Sequence, residues 1–336
     1  SDEPRELGEQ DAVLVTVKQT ALTASAPAIT ALLGRDTPAV FLQNGIPWWY
    51  FHGQGNADEG KRIPELDPGD VLWNTVGPQR AVGGVTSSPC TVVEPGVVKL
   101  AGKNGTMVFG EPDGSMSPRL MAIAELFKAA GLPAEATPRI RDAIWQKLAL
   151  NLGSGPLAVL APVSLAALYA EEACVQARFR IQDEVEAIAA AMGCPVTVSR
   201  SIEATRKLPH VPSIGQDVAA GRKPELEAMF RAPLAMAREK GVATPTLDLL
   251  VALCTHGAAP YRQVLTHGWV LDAEGRAMSK SLGTGIEPLE VIKTHGAEVL
   301  RLWAASVVFG EDAPISAEML TRLSEAYRKL RNTFRY

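Results

Sequence analysis

Asp11-Ala12-Val13-Leu14-Val15-Thr16-Val17-Lys18 is a short run rich in β-branched residues that ends in a charge, and it predicts a strand. Pro38-Ala39-Val40-Phe41-Leu42 predicts a second strand, closed by the turn Gln43-Asn44-Gly45. The stretch Ala21 to Leu33 between them is weakly helical and stops at Gly34. Strand, helix, strand is the unit of a parallel α/β sheet, so such a sheet is expected here. Further on, Val97 to Leu100 and Met107 to Gly110 flank Lys103-Asn104-Gly105, which reads as a β-hairpin with an Asn-Gly turn. Gly53-x-Gly55 and Gly83-Gly84 read as loop glycines without strand-to-helix context and receive no phosphate role.

From Ser117 the apolar period changes from two to that of a helix, and helices are expected as far as residue 253. Thr137-Pro138 marks a helix start, with Thr137 as cap and Ile140, Ile144 and Leu148 as the apolar stripe. On that helix Lys147 and Asn151 are four residues apart and project side by side, a lysine and an amide able to hold a carbonyl oxygen. Gly193 and Gly241 read as helix stops, with amphipathic segments at about 175–192, 225–240 and 247–253. After His256-Gly257 the texture changes again: a strand within 264–272, a Gly/Ser/Lys loop over 274–284, helices at 288–293 and 297–306, and a basic helix capped by Ser316. The expected domains are therefore 1–136, a parallel α/β sheet, 137–256, an all-helical domain, and 257–336, a short α/β to helical piece.

Composition narrows the function classes. With 336 residues, 46% hydrophobic and 21% charged, the chain is expected to be an ordinary globular protein. A net charge of -4 supplies no general field for nucleic acid or acidic membrane, so any RNA contact is local. Cys90, Cys174, Cys194 and Cys254 are scattered without C-x-x-C spacing, which argues against a zinc site or disulfide framework and for a reducing cytoplasm. The acidic opening Ser-Asp-Glu-Pro-Arg-Glu-Leu is unlike a signal peptide, and no run of about 18 apolar residues suggests a membrane span. A start on Ser1 rather than methionine reads as processing or an incomplete start.

Three blocks in order carry a resemblance. They are Gln43-Asn44-Gly45-Ile46-Pro47-Trp48-Trp49-Tyr50-Phe51-His52-Gly53, then Ile144-Trp145-Gln146-Lys147-Leu148 with Asn151, then Ser213-Ile214-Gly215-Gln216-Asp217 with Gly221-Arg222-Lys223-Pro224-Glu225-Leu226. Over roughly residues 1–256 the chain resembles ketopantoate reductase, which implies that 1–136 is a partial Rossmann-like, NADP-binding parallel sheet and 137–256 a substrate and dimerisation domain with helices like those of 6-phosphogluconate dehydrogenase. The resemblance implies NADPH-dependent reduction of 2-dehydropantoate to pantoate, a step of pantothenate biosynthesis, in a protein able to form homodimers. By motif, Lys147 would be the general acid, and Glu225 would orient and tune it through a charged hydrogen bond. Asn44 and Asn151 would hold substrate and cofactor in register, Ser213 would bind the substrate carboxylate, and Lys18 would contact NADP. Two departures stand out: the family's second asparagine is Gly155 here, and no G-x-G-x-x-G turn precedes Asp11.

A second resemblance covers residues 257–336. Leu265 to Gly283, with Met278-Ser279-Lys280-Ser281 at its heart, and the flanks 296–303 and 327–336 resemble the second signature region of a class I isoleucyl-tRNA synthetase. The resemblance implies a mobile loop closing over ATP, with Lys280 on the phosphates and Ser279 and Ser281 as donors. The family's first loop lysine is Ala277 here and an expected asparagine is Thr284, while no His-x-Gly-His motif occurs. The basic helix with Arg322, Arg328, Lys329 and Arg331 would be the point of any tRNA contact. The leading expectation is a reductase-like oxidoreductase with a half-built cofactor domain, impaired on its own and joined to a synthetase fragment. The alternatives are an isoleucine-tRNA ligase fragment needing a partner chain, and a non-catalytic fusion or binding module. A sheet cut at its central strands is expected to expose an unpaired edge and an apolar face.

Overall fold

The computed structural model describes residues 3–87, 90–100, 105–256, 268–272, 274–276, 278, 285–308 and 310–334. The chain forms two compact units, 1–260 and 261–336.

In the first unit the strands are β1 (Val13–Val15), β2 (Ala39–Phe41), β3 (Ala81–Thr86), β4 (Cys90–Glu94), β5 (Val97–Leu100), β6 (Met107–Gly110) and β7 (Ala134–Ala136). Five of them form one sheet in the order β1-β2-β3-β6-β7. β1, β2 and β3 run parallel, β6 is antiparallel to β3, and β7 is parallel to β6. Strand side chains alternate between faces. Val13, Val15, Phe41 and Ala81 lie in one core with Ile140, Ile144 and Trp145, while Val40, Val82 and Phe109 lie in another with Leu120 and Ile123. Leu14, paired in register with Val40, is 45% exposed at the β1 edge. The expected open edge is therefore present among the described residues.

The expected hairpin is corrected. β5 pairs with β4, turning at Glu94-Pro95-Gly96-Val97, and β6 joins the main sheet instead. Proline at the first turn position and Gly96 at φ 80° supply the bend there, and the buried Phe109 of β6 is drawn to the core. Gly83 and Gly84 are also not loop residues; both lie inside β3. A Cβ on Gly83 would sit 2.7 Å from Ile140 and 2.8 Å from Trp49, so glycine lets that helix and the indole press onto the strand.

Helices α1 (Gln19–Leu22), α2 (Ala26–Thr30) and α3 (Val71–Thr75) are short, and a 3-10 turn at Thr23–Ser25 breaks the single helix expected over Ala21 to Leu33. α4 (Pro118–Ala129) covers one sheet face, with Ser117 accepting the Leu120 N–H as cap. The helical part follows as α5 (Ile140–Leu152), α6 (Gly155–Leu160), α7 (Leu165–Leu168), α8 (Glu172–Ala191), α9 (Ser213–Ala219), α10 (Ala232–Glu239) and α11 (Pro245–His256). Thr137 does not cap α5: its hydroxyl accepts from the Arg139 N–H in the turn before, and the helix begins at Ile140 without a side-chain cap. Burial of Ile140, Ile144, Trp145 and Leu148 compensates. Leu247 and Val251 place α11 in the core of this unit.

The second unit pairs β8 (Val270–Leu271) with β9 (Ala313–Pro314) in parallel, and carries α12 (Pro288–His295), α13 (Ala297–Ser306) and α14 (Ala317–Thr333). Its core is small, built on Val291, Val299, Ile315 and Leu320. Ser316 caps α14 by accepting the Met319 N–H at 3.2 Å, as its sequence predicts.

Candidate active site

Parallel strands deliver the segments that follow them to one end of the sheet, where α/β proteins bind ligands. Lys18 follows β1, Asn44 follows β2, and Thr86 and Ser87 stand at the end of β3. Gln43 ties the first two segments, its Nε2 donating to the Val15 and Val17 carbonyls at 2.9 Å each. Asn44 is held by its neighbour: Gly45 sits at φ 86°, and a Cβ there would lie 2.5 Å from the Ala228 carbonyl oxygen. Only glycine combines that dihedral with that approach. The Ile46 N–H donates to the same oxygen at 2.9 Å, so the loop is fixed against the π-helical turn Glu227–Arg231.

α5 presents Lys147 and Asn151 to a cavity of about 340 Å³ that Asn44, Ser213 and Glu225 also line. Asn151 Nδ2 donates to Asn44 Oδ1 at 3.4 Å, a long contact that leaves both amides free to turn to a ligand. Lys147 has no hydrogen-bond or ion-pair partner among the described residues, and burial alone lowers its pKa. A lysine so placed is a more willing proton donor than one in water. His210, which also lines the cavity, has its pKa lowered first by burial and then by the Lys147 charge.

Glu225 is not bonded to Lys147. Its Oε1 accepts the Gln19 N–H at 2.8 Å, at the start of α1, where no side chain caps the helix. Burial raises its pKa, opposed by the Gln19 hydrogen bond and the Lys18 charge. The expected charged hydrogen bond gives way because a free helix N–H and a nearby cation satisfy the carboxylate first. Lys18 is outside the cavity lining and pairs with the buried Asp217, which also accepts from Arg222 at 2.9 Å. Ser213, an exposed residue, opens α9 rather than lying in a loop. His210 and Arg178, both in the cavity wall, escaped the sequence reading. A polar residue recurring on the otherwise apolar inward stripe of α8 is the signal that could have found Arg178. Ser279, Lys280 and Ser281 lie outside the described residues.

Residues 1–114 match the family described as "Ketopantoate reductase PanE/ApbA", and residues 139–257 match its C-terminal counterpart. Over 252 residues the chain is 38% identical to the 2-dehydropantoate 2-reductase of Mesorhizobium japonicum, covering 74% of this chain and 77% of that one. The chain belongs to the ketopantoate reductase family. The crystal structure of a family member, 2-dehydropantoate 2-reductase from Geobacter metallireducens GS-15, superposes with a TM-score of 0.64 at 27% identity, covering 76% of this chain and 80% of that one. Residues 246–316 separately match class I tRNA synthetases (I, L, M and V). There the chain is 58% identical over 89 residues to the isoleucine–tRNA ligase of Thermoanaerobacter sp. strain X514, spanning 26% of this chain and a tenth of the ligase's length.

Proposed function

We propose that this chain is a ketopantoate reductase-like oxidoreductase for NADPH-dependent reduction of 2-dehydropantoate, impaired on its own by its partial cofactor site, with residues 1–136 as its partial nucleotide domain, 137–256 as its substrate domain and 257–336 as a synthetase-derived appendage. The observation that carries the reading is the convergence of Asn44, Lys147, Asn151, Ser213 and Glu225 on one cavity, from distant parts of a chain of this family. Lys147 holds the ketone oxygen and gives it a proton as negative charge develops. Asn151 and Asn44 orient the keto acid beside it, and Ser213 meets its carboxylate. Glu225, through Gln19 and the charge of Lys18, acts as a positioning residue for the loops that frame the lysine.

Among the residues present, those at the strand ends fit the nicotinamide end of NADP: Asn44, with Lys18 nearby. They do not fit its diphosphate. The first N–H of α1 is taken by Glu225, and the backbone N–H groups of Gly53, Gln54 and Gly55 are taken by Glu59. No G-x-G-x-x-G turn lies within residues 1–336. When bound, NADPH would supply the hydride. No described helix is long and apolar enough to cross a membrane, and we place the protein in the cytoplasm.

Titration of the full chain with 2-dehydropantoate, followed by calorimetry and by NADPH oxidation in parallel, tests the reading. Saturable binding together with oxidation supports it. Failure of 2-dehydropantoate to bind at all overturns it.

A further inference from the structure

Assigning the polar groups of the cavity shows what is left for the rest of a ligand. With the cofactor at the strand ends by Asn44, the ketone at Lys147 and the carboxylate at Ser213, the tail of a keto acid is left the wall formed by Gly155, Leu165, Leu208, Ile214 and Met229. Leu165, Ile214 and Met229 are buried, and Leu208 is partly open to solvent. The charged groups on this side are already engaged. Arg178 lies over the Tyr169 ring, its guanidinium carbon 5.2 Å from the centroid, and shares a side-chain hydrogen bond with that tyrosine. Asp217 is held by Lys18 and Arg222, and Glu225 by the Gln19 N–H. A charged tail would lose its water here and find no free counter-ion, whereas a hydrocarbon tail gains by burial.

Gly155 sets the depth of that wall. Its backbone does not require glycine, and an added Cβ would make only ordinary contacts, 3.5 Å to Phe230 and 3.7 Å to Ile214. A methyl therefore fits. A longer side chain has the fully buried Phe230 ring on one side and the cavity on the other, so it would fill the space that the bare Cα leaves. Met229, unbranched and adaptable, lets the same wall close around tails of different shape.

We propose that Gly155 is a specificity-determining residue, and that with the apolar wall beside it the cavity takes 2-keto acids with uncharged, branched tails, 2-dehydropantoate among them and bulkier hydrocarbon tails as well. The proposal rests on the reductase reading and defines its substrate class. The test uses the full chain and calorimetry with 2-oxopropanoate and 4-methyl-2-oxopentanoate, which carries an isobutyl group in place of the methyl. Each buried carbon is worth about fourfold in affinity, so the branched acid is expected to bind tighter by about tenfold to sixtyfold. Gly155→Asn brings that ratio below about threefold, and Gly155→Ala keeps most of it, because the methyl fits.

Leu208→Ser, at a partly exposed position on the same wall, lowers the ratio by about threefold and decides where Gly155→Asn does not fold. Equal affinity for the two acids in the unaltered protein, or a ratio unmoved in folded Gly155→Asn, overturns the proposal. Tighter binding of 2-oxopentanedioate, whose tail is charged, than of the branched acid overturns it too. Calorimetry with 2-dehydropantoate separates the two readings. A preference for the branched acid without binding of 2-dehydropantoate keeps the apolar wall and removes the reductase, whereas binding of 2-dehydropantoate with no such preference does the reverse.

Discussion

Residues 3–256 and the segment after them write a site into the chain in different ways. In the first, Asn44, Lys147, Asn151, Ser213 and Glu225 come from a strand end, a long helix, a short helix and the approach to a π-turn, and folding alone brings them to one cavity. In the second, Ser279, Lys280 and Ser281 are neighbours in sequence, and their partners in a synthetase would lie in other domains. Identity to relatives runs the other way, 58% for the synthetase segment and 38% for the reductase part, but the shares of the relatives covered are 10% and 77%. Likeness per residue measures ancestry. Function follows from how many of the converging pieces are present.

The largest effect that would break the comparison lies at Lys147. If the dispersed site works as a unit, Lys147→Ala lowers turnover of 2-dehydropantoate by about two to four powers of ten, the usual loss of a positioned acid. A loss below about threefold would remove Lys147 from the chemistry. Because burial lowers the Lys147 pKa, the alkaline fall in rate should come below the ordinary lysine range, near about 10.4. A fall at or above that range would mean that the lysine is as wet as any surface residue.

The next effect sharpens the contrast in how each unit is held. Trp145 is fully buried on the helix that carries Lys147, and its Nε1 donates to the Tyr50 hydroxyl at 2.8 Å. Trp145→Ala is expected to cost the first unit about 3–5 kcal/mol, read from the urea midpoint. Among the described residues the core cluster of the second unit has only four buried members, Val291, Val299, Ile315 and Leu320, and the unit leans more on local terms. Ser316→Ala, which removes the cap of α14, is expected to cost about 1 kcal/mol. A cap effect above that of Trp145→Ala would invert the picture.

What could be read in advance follows from how local each signal was. β1, β2, the boundaries of α13 and the Ser316 cap each rest on a few adjacent residues, and they appear where expected. β3 was missed because Gly83 and Gly84 look like a loop until Trp49 and Ile140 are seen pressing on them from elsewhere in the chain. The hairpin went astray because it rested on the Asn104-Gly105 signal alone; the turn at Pro95-Gly96 went unread, and β6 had its partner in β3. At the site, spacing set Lys147 and Asn151 side by side and the family resemblance supplied their roles, while the bond from the Gln19 N–H to Glu225 joins residues far apart in sequence. Arg178 interrupts the apolar stripe of α8 but belongs to no motif, and His210 is identified by the cavity alone.

The smallest effect is one of sign, and it concerns two of the ionisable groups that line the cavity, Glu225 and Lys147. Burial raises the Glu225 pKa, so between the ordinary glutamate value and the raised one the folded chain keeps a proton that the unfolded chain releases. Stability therefore falls as pH rises through that window. For Lys147 the folded pKa is the lower one, so stability rises with pH between it and the ordinary lysine value. Glu225→Gln keeps an oxygen for the Gln19 N–H and cannot ionise; above the glutamate window it should be more stable than the natural chain, converging with it in acid. The lost attraction to Lys18 works against this gain but is the lesser cause, because burial outweighs it in setting the direction of the shift. Urea midpoints of both proteins from acid to neutral pH decide the matter: a constant difference would mean that the carboxylate is not desolvated in the fold, and that Glu225 belongs to the cavity's rim rather than its wall.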